Sequence, residues 1–316
     1  MAYTSIGSNN GTNTAETFAQ RELFARKMST DVLKYFKSTN VVRPLVTNRS
    51  IDNGKSESFP VVGNATAAEK DNDAAELSLQ AIKATEREIV IGKMTVAHSW
   101  LTDLDKAMVH YDSKSAQVES IGRSLAKLVD EKLIEQLGVA ATIVDATTAT
   151  AAGLKAFSDD VFTQPQDIDS SHILDGAKVY AVMAAAMSHY RDMDIVGEPV
   201  FLLRPAQYFA LLNNPANTGL TWVNDPYSIS GKVPMVLGSK VVYSPHFPAL
   251  SATSGDRNNI GFLFAKEAVG ILELLSVSIR TDYIPTRLSN LITGKMAVGY
   301  GVLNHGACVG MGYTAA

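Results

Sequence analysis

Gly54-Lys55-Ser56 has the residue types that close a phosphate-binding loop: a glycine that lets backbone amides face a phosphate, a lysine for its oxygens and a hydroxyl for a metal ion. That loop also needs a glycine five positions before Gly54, and this chain has Arg49 there. Gly299-x-Gly301 followed by Gly306 misses the dinucleotide spacing and lies in strand-like alternation. The histidines, His98, His110, His172, His189, His246 and His305, are scattered. His305 and Cys308 are three apart and offer half a metal site, with no carboxylate or second histidine nearby. They read more simply as part of a glycine-rich strand region. Asp103, Asp105 and Asp112 could attract a cation, but Asp112 is better placed as a helix cap. No H-E-x-x-H, G-x-S-x-G or calcium-loop motif occurs. The expectation is a protein without catalytic, cofactor-binding or metal-binding residues.

The elements that would position such residues follow from periodicity. Residues 1–17 are rich in Ser, Thr, Asn and Gly and read as a tail. Phe24, Met28, Val32 and Phe36 then form one stripe of an amphipathic helix over 16–37. Residues 41–49 and 56–62 look extended, as does 89–96, with a polar, acidic stretch between the last two. The pattern predicts a long two-stranded excursion, which is marginal in water unless another surface supports it. After Asp112, Val118, Ile121, Leu125, Leu128, Val129 and Leu133 predict a long helix to about Leu137, a spine. Ile173, Ala177, Tyr180, Ala184 and Met187 mark a second helix capped near Asp175. Residues 199–203, 233–244 and 260–275 are strand-like, with a helix beginning at Pro205 and ending near 213–215. Leu275, Val277 and Ile279, then Met296, Val298, Tyr300 and Val302, alternate as strand faces do. Interleaved helices and strands of this kind indicate an α+β or compact α/β architecture.

Composition narrows the function classes. The 316 residues are 46% hydrophobic, enough for a sizeable core and too many for wholesale disorder. Only 19% are charged, against an ordinary level of about 25%, which leaves surface free to be covered by partners. The net charge of -4 argues against a freely soluble nucleic-acid binder. The single cysteine excludes an internal disulfide, and neither a signal-peptide pattern nor an apolar run of membrane-spanning length is found. Charge is unevenly placed. Residues 1–50 hold seven basic and three acidic side chains, net +4, whereas residues 51–95 hold five basic and eight acidic, net -3. Arg21, Arg26 and Lys27 on the first segment and Glu69, Asp71, Asp73 and Glu76 on the second are therefore candidate contacts between subunits.

The order of these parts resembles the coat proteins of tailed bacteriophages, the Hong Kong 97 phage coat fold. It looks nearest to the major capsid proteins of short-tailed, autographivirus-like podoviruses. The residues that carry the resemblance are Asn53 to Ser56 leading to Phe59 to Gly63, Leu104 to Met108 with His110 to Asp112, Gly122 with Ser124 to Ala126, Val242 to Pro248, and Ala297 to Gly301. It covers residues 40–140 well and 200–316 more loosely.

The resemblance implies a tailed-phage major capsid fold of α+β class. Residues 1–50 would be an N-terminal arm, 51–97 an extended β-hairpin loop, 98–140 and 275–316 a peripheral domain containing the spine helix, and 141–274 a mixed axial domain. It implies a structural subunit of the virion that forms pentamers and hexamers of an icosahedral head. Expected partners are further copies of itself, a separate scaffolding protein, a portal and packaged double-stranded DNA met through weak, non-specific contacts, with no membrane and no cofactor. The chain length leaves no room for a fused maturation protease or a large scaffolding segment. Assembly would take place in the bacterial cytoplasm. An encapsulin-type bacterial compartment shares this fold and differs in enclosing a cargo enzyme rather than DNA. A cytoplasmic α/β enzyme or ligand-binding protein would need converging polar residues, which the sequence does not offer.

Overall fold

The computed structural model describes residues 34–36, 39–62, 84–108, 113–144, 164–195, 197–212, 235–251, 253 and 255–314. The chain divides into two compact units. One contains Met1–Thr39, Met94–Leu128 and Leu275–Ala297; the other contains Asn40–Lys93, Val129–Leu274 and Val298–Ala316. Helix and strand content is mixed in an α+β arrangement, as the periodicities predict.

Among the described residues the strands are β1 (Thr47–Ser50), β2 (Ser56–Val62), β3 (Ala84–Val90), β4 (Met94–Thr102), β5 (Gln166–Asp167), β6 (Val200–Leu203), β7 (Met235–Val236), β8 (Ser239–Tyr243), β9 (Arg257–Phe264), β10 (Val269–Ile284), β11 (Ser289–Val302) and β12 (Cys308–Thr314). Among the described residues the α-helices are α1 (Asp103–Met108), α2 (Ser113–Thr142), α3 (Gly176–Asp192) and α4 (Pro205–Leu212). Among the described residues, no helix is long and apolar enough to cross a membrane.

In the first unit, β4 pairs antiparallel with β11, from Ser289 opposite Thr102 to Ala297 opposite Met94. Val118, Ile121 and Leu125 of α2 are buried. They pack where Gly294 removes a side chain from β11: a Cβ there would stand 2.7 Å from Ile121 Cγ2. In the second unit, a six-stranded sheet runs in the order β5-β12-β9-β6-β8-β7. Its central strands carry Phe201, Leu202, Leu203, Phe262, Leu263 and Phe264, all 1% exposed or less, so strands buried on both faces read as continuous apolar runs. Asp175 caps α3 by accepting from the Ala177 amide at 2.9 Å. In the same unit β1 lies parallel to the start of β10, and β2 pairs antiparallel with β3.

Four local expectations shift. The strand predicted over 89–96 is two strands, β3 and β4, separated at Ile91 to Lys93. The spine helix continues past Leu137 to Thr142, because Ala140 and Ala141 keep its face apolar. The buried face of α3 is Gly176, Val179, Met183, Ala186, Met187 and Tyr190; Ala177, Tyr180 and Ala184 are only half-buried. Ile173, taken as the start of the stripe, lies ahead of the helix, and Tyr190 sets the true phase. On β11 the buried positions are 289, 292, 294, 296, 297, 299 and 302, so the alternation through 292–296 slips by one at 297, where pairing with β4 ends, and Val298 and Tyr300 are only half-buried.

Candidate functional site

The β2–β3 hairpin has a well-defined root in the second unit. Pairing runs from Ser56 opposite Val90 to Val62 opposite Ala84. Gly54, at φ +112°, makes the turn into β2 in a conformation that other residues rarely adopt. The Ile91 amide then donates to the Lys55 carbonyl at 2.8 Å, closing the root. Gly54-Lys55-Ser56 is therefore the turn that starts a strand.

Ile89, 1% exposed, locks this root in place. Its side chain fills a hollow left by three glycines of β10 and β11. A Cβ on Gly270, Gly299 or Gly301 would stand 3.1, 3.1 or 2.8 Å from an Ile89 carbon. Fully burying such a side chain stabilises by about 1.5–3 kcal/mol. On the other strand, Arg49 Nη1 meets Glu57 Oε1 at 2.7 Å, and its guanidinium carbon lies 4.7 Å from the centre of the Phe59 ring. The hairpin is thus held at its base by an isoleucine on one strand and an arginine–aromatic contact at the other.

A second junction gathers on Asp130, which is 0% exposed on α2. Its carboxylate accepts from the Val41 amide at 2.9 Å and the Val42 amide at 3.3 Å, and His246 Nδ1 lies 3.3 Å away. Burial pushes the Asp130 carboxyl above its ordinary value, opposed by those amides and by His246. Nearby, Arg43 forms an ion pair with Glu273. One helix carboxylate therefore fixes both the chain entering the second unit and the turn after β8.

Each unit also presents apolar surface. On β4 of the first unit, Met94, Val96 and Trp100 are 52%, 50% and 60% exposed and share one face with His98. In the second unit Phe209 and Tyr243 are exposed with ring centroids 6.1 Å apart. Exposed rows of this size mark contact surfaces more often than idle ones.

The seven residues expected at subunit contacts, Glu69, Asp71, Asp73, Glu76, Arg21, Arg26 and Lys27, lie outside the described residues. Asp112 and His110 do too. Asp103 accepts from the Tyr283 hydroxyl at 2.9 Å, and Asp105 shares two hydrogen bonds with Thr102. His305 and Cys308 are both buried, and Cys308 Sγ faces the Leu137 carbonyl at 3.6 Å. Among the described residues, no group of three or more His, Cys, Asp or Glu could hold a metal ion. Sequence reasoning missed Asp130. Its signal was an acid on the apolar stripe, four residues after Ala126 and three before Leu133.

Similarity to known proteins agrees with this geometry. The chain is 25% identical to the major capsid protein of Escherichia phage T7 over 327 residues, spanning 94% of each chain. It is 26% identical to that of Enterobacteria phage T3, covering 94% of this chain and 93% of the other. The capsid structure of the cyanophage P-SCSP1u shares the fold, with a TM-score of 0.70 and 23% identity over 88% of this chain and 89% of that one. The α+β architecture is thus that of tailed-phage capsids. Residues 58–311 match the family described as Gp10A-like major capsid protein, and the chain belongs to that family.

Proposed function

We propose that this major capsid protein builds the wall of an icosahedral phage head as pentamers and hexamers, acting as a structural subunit without catalysis. The observation that carries this reading is the family match across residues 58–311, a span that takes in all but the first two residues of the hairpin, all of α2 and the first four residues of β12. The hairpin root supports it: Ile89 and Arg49 anchor a two-stranded arm at its base. Such an arm gains stability from lying on a neighbour. Its acidic segment, Glu69, Asp71, Asp73 and Glu76, is matched in sign by Arg21, Arg26 and Lys27, and these are proposed to meet across subunits.

Assembly in the bacterial cytoplasm would use a separate scaffolding protein and a portal, and the finished shell would enclose double-stranded DNA. With a net charge of -4, the wall is proposed to hold DNA weakly and without sequence preference. Strong counterion-release binding would impede packaging and ejection. Any contact would lie on the arm, at Arg21, Arg26, Lys27 and Lys34. The experiment is deletion of residues 64–80, which leaves the anchored root intact. The deleted chain should stay soluble and fail to close shells. Normal closed shells from it would overturn the role given to the hairpin.

A further inference from the structure

A cleft of about 300 Å³ opens in the second unit beside the last turns of α2. Ile134, Val139, Phe247 and Phe262 give it an apolar floor, with the two rings stacked at 5.8 Å. Arg204 lies on that floor, its guanidinium carbon 4.9 Å from the centre of the Phe247 ring. Its Nε donates to the Asn259 carbonyl at 2.8 Å and one terminal nitrogen donates to the Pro248 carbonyl at 2.7 Å. These contacts set the guanidinium plane before any ligand arrives, so little ordering remains to be done on binding.

Both acceptors are neutral carbonyls, and no carboxylate pairs with Arg204 among the described residues. Arg257, on the same cleft, differs in being committed to Asp167 at 2.6 Å. Burial works against the Arg204 charge, and a half-buried cation with only neutral partners gains from an arriving anion.

We propose that this cleft is a binding site for a carboxylate carried beside an apolar side chain, on an acidic segment of a partner protein. The floor suits an aliphatic or aromatic group, and the volume suits one or two side chains. A phosphodiester chain fits poorly, because it repeats its charges along the backbone and only one guanidinium is available. The inference is independent of how shells are built, since it is read as peptide binding to the full chain.

The test uses fluorescence anisotropy with two labelled tripeptides, Phe-Asp-Leu and Phe-Asn-Leu, blocked at both ends. The Asp peptide should bind at least roughly tenfold more tightly, the difference between a charge-assisted and a neutral hydrogen-bonded pair. Val139→Trp, which adds a large ring to the cleft, should abolish binding. Thr142→Glu, at an exposed position on the edge, should weaken it while leaving the fold unchanged. Equal affinity for the two peptides, no saturable binding at millimolar peptide, or indifference to both substitutions would overturn the proposal. So would a short DNA duplex that displaces the Asp peptide as well as unlabelled peptide does, because the site would then be a phosphate site.

Discussion

The Cγ1 atom of Ile89 occupies the space that any side chain on Gly301 would need: a Cβ there would stand 2.8 Å from it. The two residues are 212 positions apart in sequence and belong to different strands, so the pair ties the hairpin root to the chain's return through β11. Glycine at 301 is required here for space, since its φ is not left-handed.

Enlarging that position should therefore displace the root. Gly301→Val is expected to cost about 1–3 kcal/mol through overpacking, and Ile89→Ala about 2–5 kcal/mol through the cavity it leaves. Combined with Ile89→Val, Gly301→Ala should cost less than the sum of the two single changes, because the residues share one space. Denaturant unfolding of the four single variants and the double variant checks this. Strict additivity would show that the two residues do not touch.

Asp130 gives a pH prediction. Its carboxyl is held above its ordinary value of 3.8, chiefly by burial. The stability this group contributes by titration is therefore fully present below pH 3.8 and is lost as pH rises through its raised value. Asp130→Asn removes the titration, so stability should become flatter with pH over the window starting at 3.8. Asp130→Ala should be worse at every pH, costing about 1–3 kcal/mol for each backbone amide left without its acceptor. Urea unfolding across that window measures both. An unchanged pH profile in the Asn variant would contradict this account of the junction.

Much of this architecture can be read from residue patterns, and the exceptions have physical causes. Asp175 marks the start of α3, and residues 56–62, which look extended in sequence, are a strand. The phase of α3 was misread because Ile173, which completes the stripe on paper, lies before the helix begins. The split at residues 91–93 is hidden because Ile89, Val90, Ile91 and Val96 look like one apolar strand; pairing with two different partners divides them. Glycines 270, 299 and 301 signal close approach, yet nothing in sequence says that Ile89 is what approaches. Asp130 and Arg204 were the least legible of all. A buried carboxylate binding distant amides and a guanidinium held by distant carbonyls are defined by contacts between remote segments, which periodicity does not encode.

Cys308 should be chemically silent in the folded chain. It is 0% exposed, and burial pushes its thiol far above the ordinary range, so little thiolate is available. A thiol reagent should label it only on unfolding, at the rate of global opening. Rapid labelling of the native protein would place Cys308 at a surface.

The charge proposal is tested by replacing Glu69, Asp71, Asp73 and Glu76 with Gln or Asn. One exposed pair is worth only about 0–1 kcal/mol, but a shell repeats each contact many times. Shell yield should fall, and added salt should lower the yield of the unsubstituted protein in the same direction. If yield and salt response both stay unchanged, the four acids form a solvated loop.

The most direct measurement is electron microscopy of the purified, expressed chain, alone and with the proposed scaffolding protein, beside size-exclusion chromatography. A shell subunit should elute as particles of megadaltons and appear as closed, icosahedrally symmetric shells with five- and six-fold clusters. A compact species at 33.9 kDa under every assembly condition, with no shells in the micrographs, would contradict the account.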